Sequence, residues 1–218
     1  MKIDALSGIM VKWPRLMKII REVGVTILVA VAIFVFLQVN VQGHTVRYFS
    51  MLPNIQEGEW VMVNKVSYFF SDPQRGEVIV FDPPFDSEYP FIKRVIGLSG
   101  DTVEVKDNKV FLNGIPLEEE YIMAPPNYEM PAKKIPENEY FVLGDNRNNS
   151  NDSHNSWTVA RDDIVGKAWF TYWPANRWGM IKHYSYPELL GADGQEVELE
   201  IGGFEPPTSA MRTQRSPN

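Results

Sequence analysis

The stretch Phe91-Ile92-Lys93-Arg94-Val95-Ile96-Gly97-Leu98 decides the fold. Side chains alternate across a strand, so a period of two puts Phe91, Lys93 and Val95 on one face and Ile92, Arg94 and Ile96 on the other. One of two adjacent cations must then share an apolar face. The same short runs of valine, isoleucine and aromatics recur on both sides, at 60–64, 77–81, 102–106, 109–112, 139–143 and 167–172, broken by turn residues. Lys106-Asp107-Asn108-Lys109, between two alternating runs, reads as a hairpin turn. No internal repeat and no strand–helix–strand alternation interrupts the pattern, so the fold class is mainly β. Residues 123–136, with Pro125, Pro126, Pro131 and Pro136, are expected to form a surface loop or extended crossover.

Residues 23–41 form an uncharged, apolar-rich run that would span about 28 Å as a helix, against roughly 30 Å of hydrocarbon. Lipid forces a backbone to bond internally, so helix is expected despite the β-branched composition. Lys2, Lys12, Arg15, Lys18 and Arg21 precede it, opposed only by Asp4 and Glu22, which by the positive-inside rule keeps the N-terminus cytoplasmic. A cleaved signal peptide has a shorter apolar core and a small-x-small site, neither of which is found here. A buried core helix would show a polar face, which this run lacks. The expected organisation is a basic cytoplasmic segment at 1–22, one transmembrane anchor at 23–41, an extracytoplasmic β-domain at 42–189 and a disordered tail at 190–218.

The 218 residues leave room for one such domain, and a net charge of −7 gives no basic footprint for nucleic acid. With no cysteine, disulfides, thiolate nucleophiles and cysteine-ligated zinc are excluded. No metal or cofactor is expected.

Ser50 lies in Tyr48-Phe49-Ser50-Met51-Leu52-Pro53-Asn54, where Pro53 denies helix continuation and biases Leu52 to an extended shape. An unactivated hydroxyl is a poor nucleophile and needs a base. His44, His154 and His183 sit in no recognisable serine-hydrolase motif. A lysine serves if it is kept neutral, and lowering its pKa from about 10.4 to near neutrality costs roughly 4 kcal/mol, within what burial supplies. Lys93 fits if its face is buried; at an exposed edge it would be an ordinary surface cation. A third block, residues 144–154, follows an apolar strand with a dense run of hydrogen-bonding groups.

Together, Ser50-Met51-x-Pro53, the run from Arg75 to Phe81, Lys93-Arg94-Val95-Ile96-Gly97-Leu98-x-Gly100-Asp101 and Gly144-Asp145-Asn146-Arg147-Asn148-x-Ser150-x-Asp152-Ser153 closely resemble bacterial type I signal peptidase, in the same order and over residues 15–185. The resemblance implies a membrane-bound serine protease of mostly antiparallel β-sheet that removes signal peptides from exported preproteins. It implies Ser50 as nucleophile, Lys93 as general base, Ser150 as the hydroxyl that orients the lysine amine, and Asp145, Arg147 and Asp152 as a supporting polar network. The Ser50 backbone N–H would be one oxyanion donor. Implied partners are signal peptides, membrane lipid and, transiently, the secretion machinery.

The chain departs from that pattern in places. Tyr48 stands where the family has a small residue, often the glycine or serine that completes the oxyanion hole, so the second donor is unassigned. Asn54 replaces a threonine, Ser99 a proline, and Ser156-Trp157-Thr158 displaces a Trp-Gly pair. Trp169, Phe170, Tyr172, Trp173 and Trp178 are suited to resting on lipid or, by their alternation, to filling the β core. Three rival readings remain: a self-cleaving repressor-type serine-lysine protease, a Ser-His-Asp hydrolase using His154 and Asp152, and a catalytically weak or inactive membrane-tethered paralogue that binds exported peptides.

Overall fold

The computed structural model describes residues 4–190, with side chains at 16–35, 38 and 40–190. The expected disordered tail therefore lies, from residue 191 onward, outside the described residues. Helix α1 runs Asp4–Asn40 without interruption, so it starts well inside the segment expected to be a cytoplasmic arm. It ends one residue short of the expected boundary, because Val41 already opens a strand. Among the described residues no helix is long and apolar enough to cross a membrane.

Beyond α1 the chain is antiparallel β-sheet. The strands are β1 Val41–Thr45, β2 Trp60–Asn64, β3 Val78–Phe81, β4 Phe91–Gly97, β5 Thr102–Lys106, β6 Lys109–Leu112, β7 Ile115–Pro116, β8 Met130–Lys134, β9 Glu139–Leu143, β10 Val159–Ala160, β11 Ile164–Trp173 and β12 Gly179–Met180, with a single-turn helix, α2, at Ser67–Phe70. The large sheet runs in the order β1-β2-β11-β3-β4-β9-β10, with β12 beside β11. A small sheet runs β7-β6-β5-β8.

The central position of β4 answers the question posed by its two cations. Every residue after Phe91 in this strand is buried, because β3 and β9 flank it and side chains pack on both of its faces. On one side Ile96, Phe141 and Leu143 join Val103, Val105 and Leu112 of the small sheet in one core. Toward the start of the strand the same face carries Ile92, packed with Met51, Val61, Val63, Val78 and Val80, while on the other face Val95 packs with Ile79, Phe81, Tyr140 and Val142. Lys93 and Arg94 are thus both inside the protein. The expected turn at Asp107-Asn108 forms, with both residues at positive φ, the backbone that matches the twist of a two-residue hairpin.

Two expectations are corrected, and one strand was missed. Residues 123–136 are not wholly loop: β8 pairs with β5 and carries Pro131, which is accommodated because β8 is an edge strand with no ladder to complete on its outer side. β1, with glycine and three polar residues, has no alternation to betray it and is held by backbone pairing to β2. Of the two readings of the aromatic cluster, core filling fails for Trp169 and Trp173 of β11 and for Trp178 beyond it, all three of which are exposed.

Candidate active site

Ser50 follows a reversal made at Tyr48, whose φ of 73° is one that non-glycine residues seldom adopt. The bend after it is fixed from below. Met51 is fully buried, Ile55 nearly so, and the Ile55 N–H donates to the Met51 carbonyl at 2.9 Å. From the side, Asn146 donates its backbone N–H to the Ser50 carbonyl at 2.9 Å and its side-chain amide to the Phe49 carbonyl at 3.1 Å. The hydroxyl is left facing β4.

There Lys93 Nζ donates to Ser50 Oγ at 2.7 Å and to the Ile92 carbonyl at 3.0 Å. Only 4% of Lys93 is exposed. Burial pushes its pKa down to about 8, partly opposed by the charges of Asp152 and Asp145. About a tenth of the amine is then neutral at pH 7, and half at pH 8. Ser50 and Lys93 are therefore brought together, with the lysine tuned toward a base.

On the opposite face of β4, Arg94 grips Asp145 in a fork, Nε to Oδ1 at 2.8 Å and the far guanidinium nitrogen to Oδ2 at 2.7 Å. It also donates to the Gly76 carbonyl at 2.7 Å and lies 4.5 and 4.9 Å from the ring centroids of Tyr121 and Tyr184, which contact each other. Burial would lower its pKa, but Asp145 overrides this and keeps it raised. Asn54 donates to the same carboxylate at 2.8 Å, linking the nucleophile bend to the start of the 144–154 loop.

Arg147 is buried and forks onto Glu119, with both contacts at 2.6 Å, while its Nε donates to the Gly144 carbonyl. Asp152 accepts the Gly144 N–H at 2.8 Å and pairs with His154 Nδ1 at 2.6 Å. Of the expected network, Arg147 and Asp152 thus converge on the backbone of Gly144, while Asp145 joins Arg94 to Asn54. Sequence reading missed Arg94, Glu119, Asn146 and the closing role of Asn54. Arg94 was signalled by its alternation with Lys93, whereas Glu119 lies in an acidic run indistinguishable from a solvated one.

Two expected site residues behave otherwise. Ser150 Oγ is buried and makes no hydrogen bond to any described residue, so the orienting bond to Lys93 that the resemblance implies is not formed. Lys93 directs two of its three ammonium donors to Ser50 and Ile92, while Ser150 packs over Gly144. Tyr48 donates its backbone N–H to Glu57 at 3.3 Å, and its side chain is largely exposed, so it supplies no second oxyanion donor in this geometry. Of the histidines, His154 holds Asp152 and His183 accepts from the Val78 N–H, and neither bonds Ser50. Among the described residues no cluster is arranged to hold a metal ion.

Ser50 and Lys93 open into a cleft of about 550 Å³. One wall is the segment 43–49, the other runs through Ser87, Tyr89 and Pro90, and Val61, Val80 and Ile92 form the floor. Such a trough suits an extended peptide, whose main chain can add to a sheet edge.

A family model described as signal peptidase, peptidase S26, matches residues 17–173. The chain is 47% identical over 144 residues to a probable signal peptidase I-1 of Synechocystis sp., covering 63% of this chain and 74% of that protein. It is 42% identical over 173 residues to a signal peptidase I of Leptolyngbya laminosa, covering 76% and 84%. It is 44% identical over 138 residues to the chloroplastic thylakoidal processing peptidase 1 of Arabidopsis thaliana, covering 59% of this chain and 41% of that one.

Proposed function

The chain belongs to the signal peptidase family, peptidase S26, and from that premise we propose that it cleaves N-terminal signal peptides from exported preproteins by a serine-lysine dyad. One observation carries the chemistry: the 2.7 Å contact between Lys93 Nζ and Ser50 Oγ, at a buried amine, on the wall of a peptide-sized cleft. When Lys93 loses a proton the direction of that bond reverses, and the amine takes the hydroxyl proton as Oγ attacks the scissile carbonyl. The resulting ammonium protonates the leaving amine, an acyl-enzyme remains on Ser50, and water activated by the same amine hydrolyses it. The Ser50 backbone N–H faces the developing oxyanion. Arg147 and Asp152 act through the Gly144 backbone they hold, and Asp145 through Arg94 and Asn54.

Residues 23–40, the part of the apolar run that lies in α1, serve as a single-pass anchor, with 1–22 cytoplasmic and the β-domain from Val41 to residue 189 on the outer face of the membrane. In support, the apolar side chains of α1 from Leu16 to Val35 are exposed rather than packed on the domain. Asn40 also passes into β1 without a linker, its carbonyl bonded to the Lys65 N–H at 3.0 Å. This holds the cleft close to the surface where a signal peptide emerges, in reach of lipid and of the secretion machinery.

The test is cleavage of a preprotein by the detergent-solubilised full chain, beside Ser50→Ala and Lys93→Met. The parent is expected to cut and both variants to fail. The unassigned second oxyanion donor and the unpartnered Ser150 favour the alternative of a weak or inactive paralogue that binds exported peptides. A parent that binds the preprotein without cutting it would establish that alternative.

A further inference from the structure

His44 in β1 belongs to none of the groups that assemble around Ser50, yet it lines the same cleft. It stands directly across the ladder from Val61, and directly opposed residues share a face of the sheet. That face is apolar, with Val61, Val80 and Ile92 forming the cleft floor. Against it, His44 Nε2 is buried with no hydrogen-bond partner among the described residues. A buried polar atom with no partner is uncommon and unfavourable, and one facing a ligand cleft is poised to be satisfied by the ligand. Burial, followed by the charge of Lys65 and partly offset by Asp82, pushes the imidazole pKa down, so the ring is neutral under ordinary conditions.

We propose that His44 determines specificity, its unpaired ring nitrogen bonding a serine or threonine hydroxyl at the third residue before the cut. A neutral imidazole nitrogen donates or accepts according to tautomer, and a hydroxyl does both, so it fits whichever tautomer is present. The position follows from the geometry of an extended peptide. Alternate residues share a face at about 7 Å spacing, so the first and third residues before the cut both point into the trough. The first is taken up beside Ser50 and Lys93. The third lies one step along the wall toward β1, where His44 is. A purely apolar wall would accept threonine and valine alike by size; His44 separates them.

This inference rests on the peptidase reading of the cleft, and its test has two arms. In the first, kcat/KM of the full chain in detergent is measured on peptides with alanine, serine, valine or threonine at that position. One neutral hydrogen bond predicts Ser over Ala and Thr over Val by about three- to tenfold. The preference should vanish in His44→Phe and return in His44→Gln, which restores a hydrogen-bonding group. In the second arm, the same peptides are bound to Ser50→Ala, with and without His44→Phe, by fluorescence anisotropy. A threonine preference in binding that His44→Phe removes supports the proposal even if no peptide is cut, an outcome that would sink the peptidase reading alone. Equal treatment of threonine and valine by the parent, an unchanged ratio in His44→Phe, or no binding of any peptide overturns it. Should His44→Phe fail to fold, the parent ratio and His44→Gln decide.

Discussion

Gly144 passes so close to Ser50 that a Cβ on it would lie 2.5 Å from the Ser50 carbonyl oxygen. The same methyl would meet Ser150 Oγ at 2.3 Å and its Cβ at 2.7 Å, and whatever Ser150 yields, the backbone clash with the Ser50 carbonyl is relieved only by moving the nucleophile bend or Gly144. Gly144→Ala is therefore expected to lower kcat/KM by about a hundredfold, the scale of a 1 Å misplacement of a reacting group. Stability should fall by only about 1–3 kcal/mol, as for other overpacked sites. Activity and urea midpoint measured together check this; parent-like activity would mean that the Ser50 carbonyl can shift while its hydroxyl stays.

The pH profile follows from Lys93. On the proposed mechanism the active form is the neutral amine, and burial pushes its pKa down to about 8. The kcat/KM should rise tenfold per pH unit on the acid side and level off above about 8. Asp152 raises that pKa by its charge, so Asp152→Asn should move the acid limb to lower pH. A limb that moved upward, or stayed in place, would show that Lys93 does not govern it.

Much of this was legible in the sequence because the strands that matter are short, alternating and bounded by turns. The expected bounds of β2, β5, β6 and β9 match the observed ones, since each is a short β-branched or aromatic run that ends at turn or polar residues. β1 and β8 were not legible, because pairing to a neighbour rather than their own side chains makes them strands. At the site, the adjacency of Lys93 and Arg94 announced one buried cation, but local sequence has no knowledge of the small sheet that buries the second face. The contacts of Asn146 and Glu119 join residues up to 97 apart in the chain and leave no periodic trace. The silence of Ser150 and the backbone angle of Tyr48 needed coordinates.

The Arg94–Asp145 pair should be a large contributor to stability when only one partner is removed. Their side chains are 1% and 0% exposed, and either group left alone is a buried uncompensated charge. Arg94→Ala and Asp145→Ala are each expected to cost about 3–5 kcal/mol. Arg94→Lys keeps the charge but loses the fork and the Gly76 contact, so it should fall between those variants and the parent. Chemical denaturation of the three, with the double alanine variant to extract the coupling, checks the claim; additive losses would mean that the pair acts as two independent groups.

Lys93 itself should work against folding while it serves catalysis. Its pKa falls from 10.5 in the unfolded reference to about 8 in the folded chain, a difference equivalent to about 3 kcal/mol when the amine is charged. Between those two values the unfolded chain binds the extra proton, so stability attributable to this residue rises as pH climbs from about 8 to 10.5. Below the folded value the native state carries a buried ammonium and the penalty is fully present. Lys93→Met fills the same space without a charge, so at pH 7 it should be inactive yet more stable than the parent by about 1–3 kcal/mol, less at pH 10. Denaturant midpoints of the two proteins at both pH values measure this directly. A variant no more stable at pH 7 would mean that the hydrogen bonds to Ser50 and Ile92 offset the desolvation of the charge.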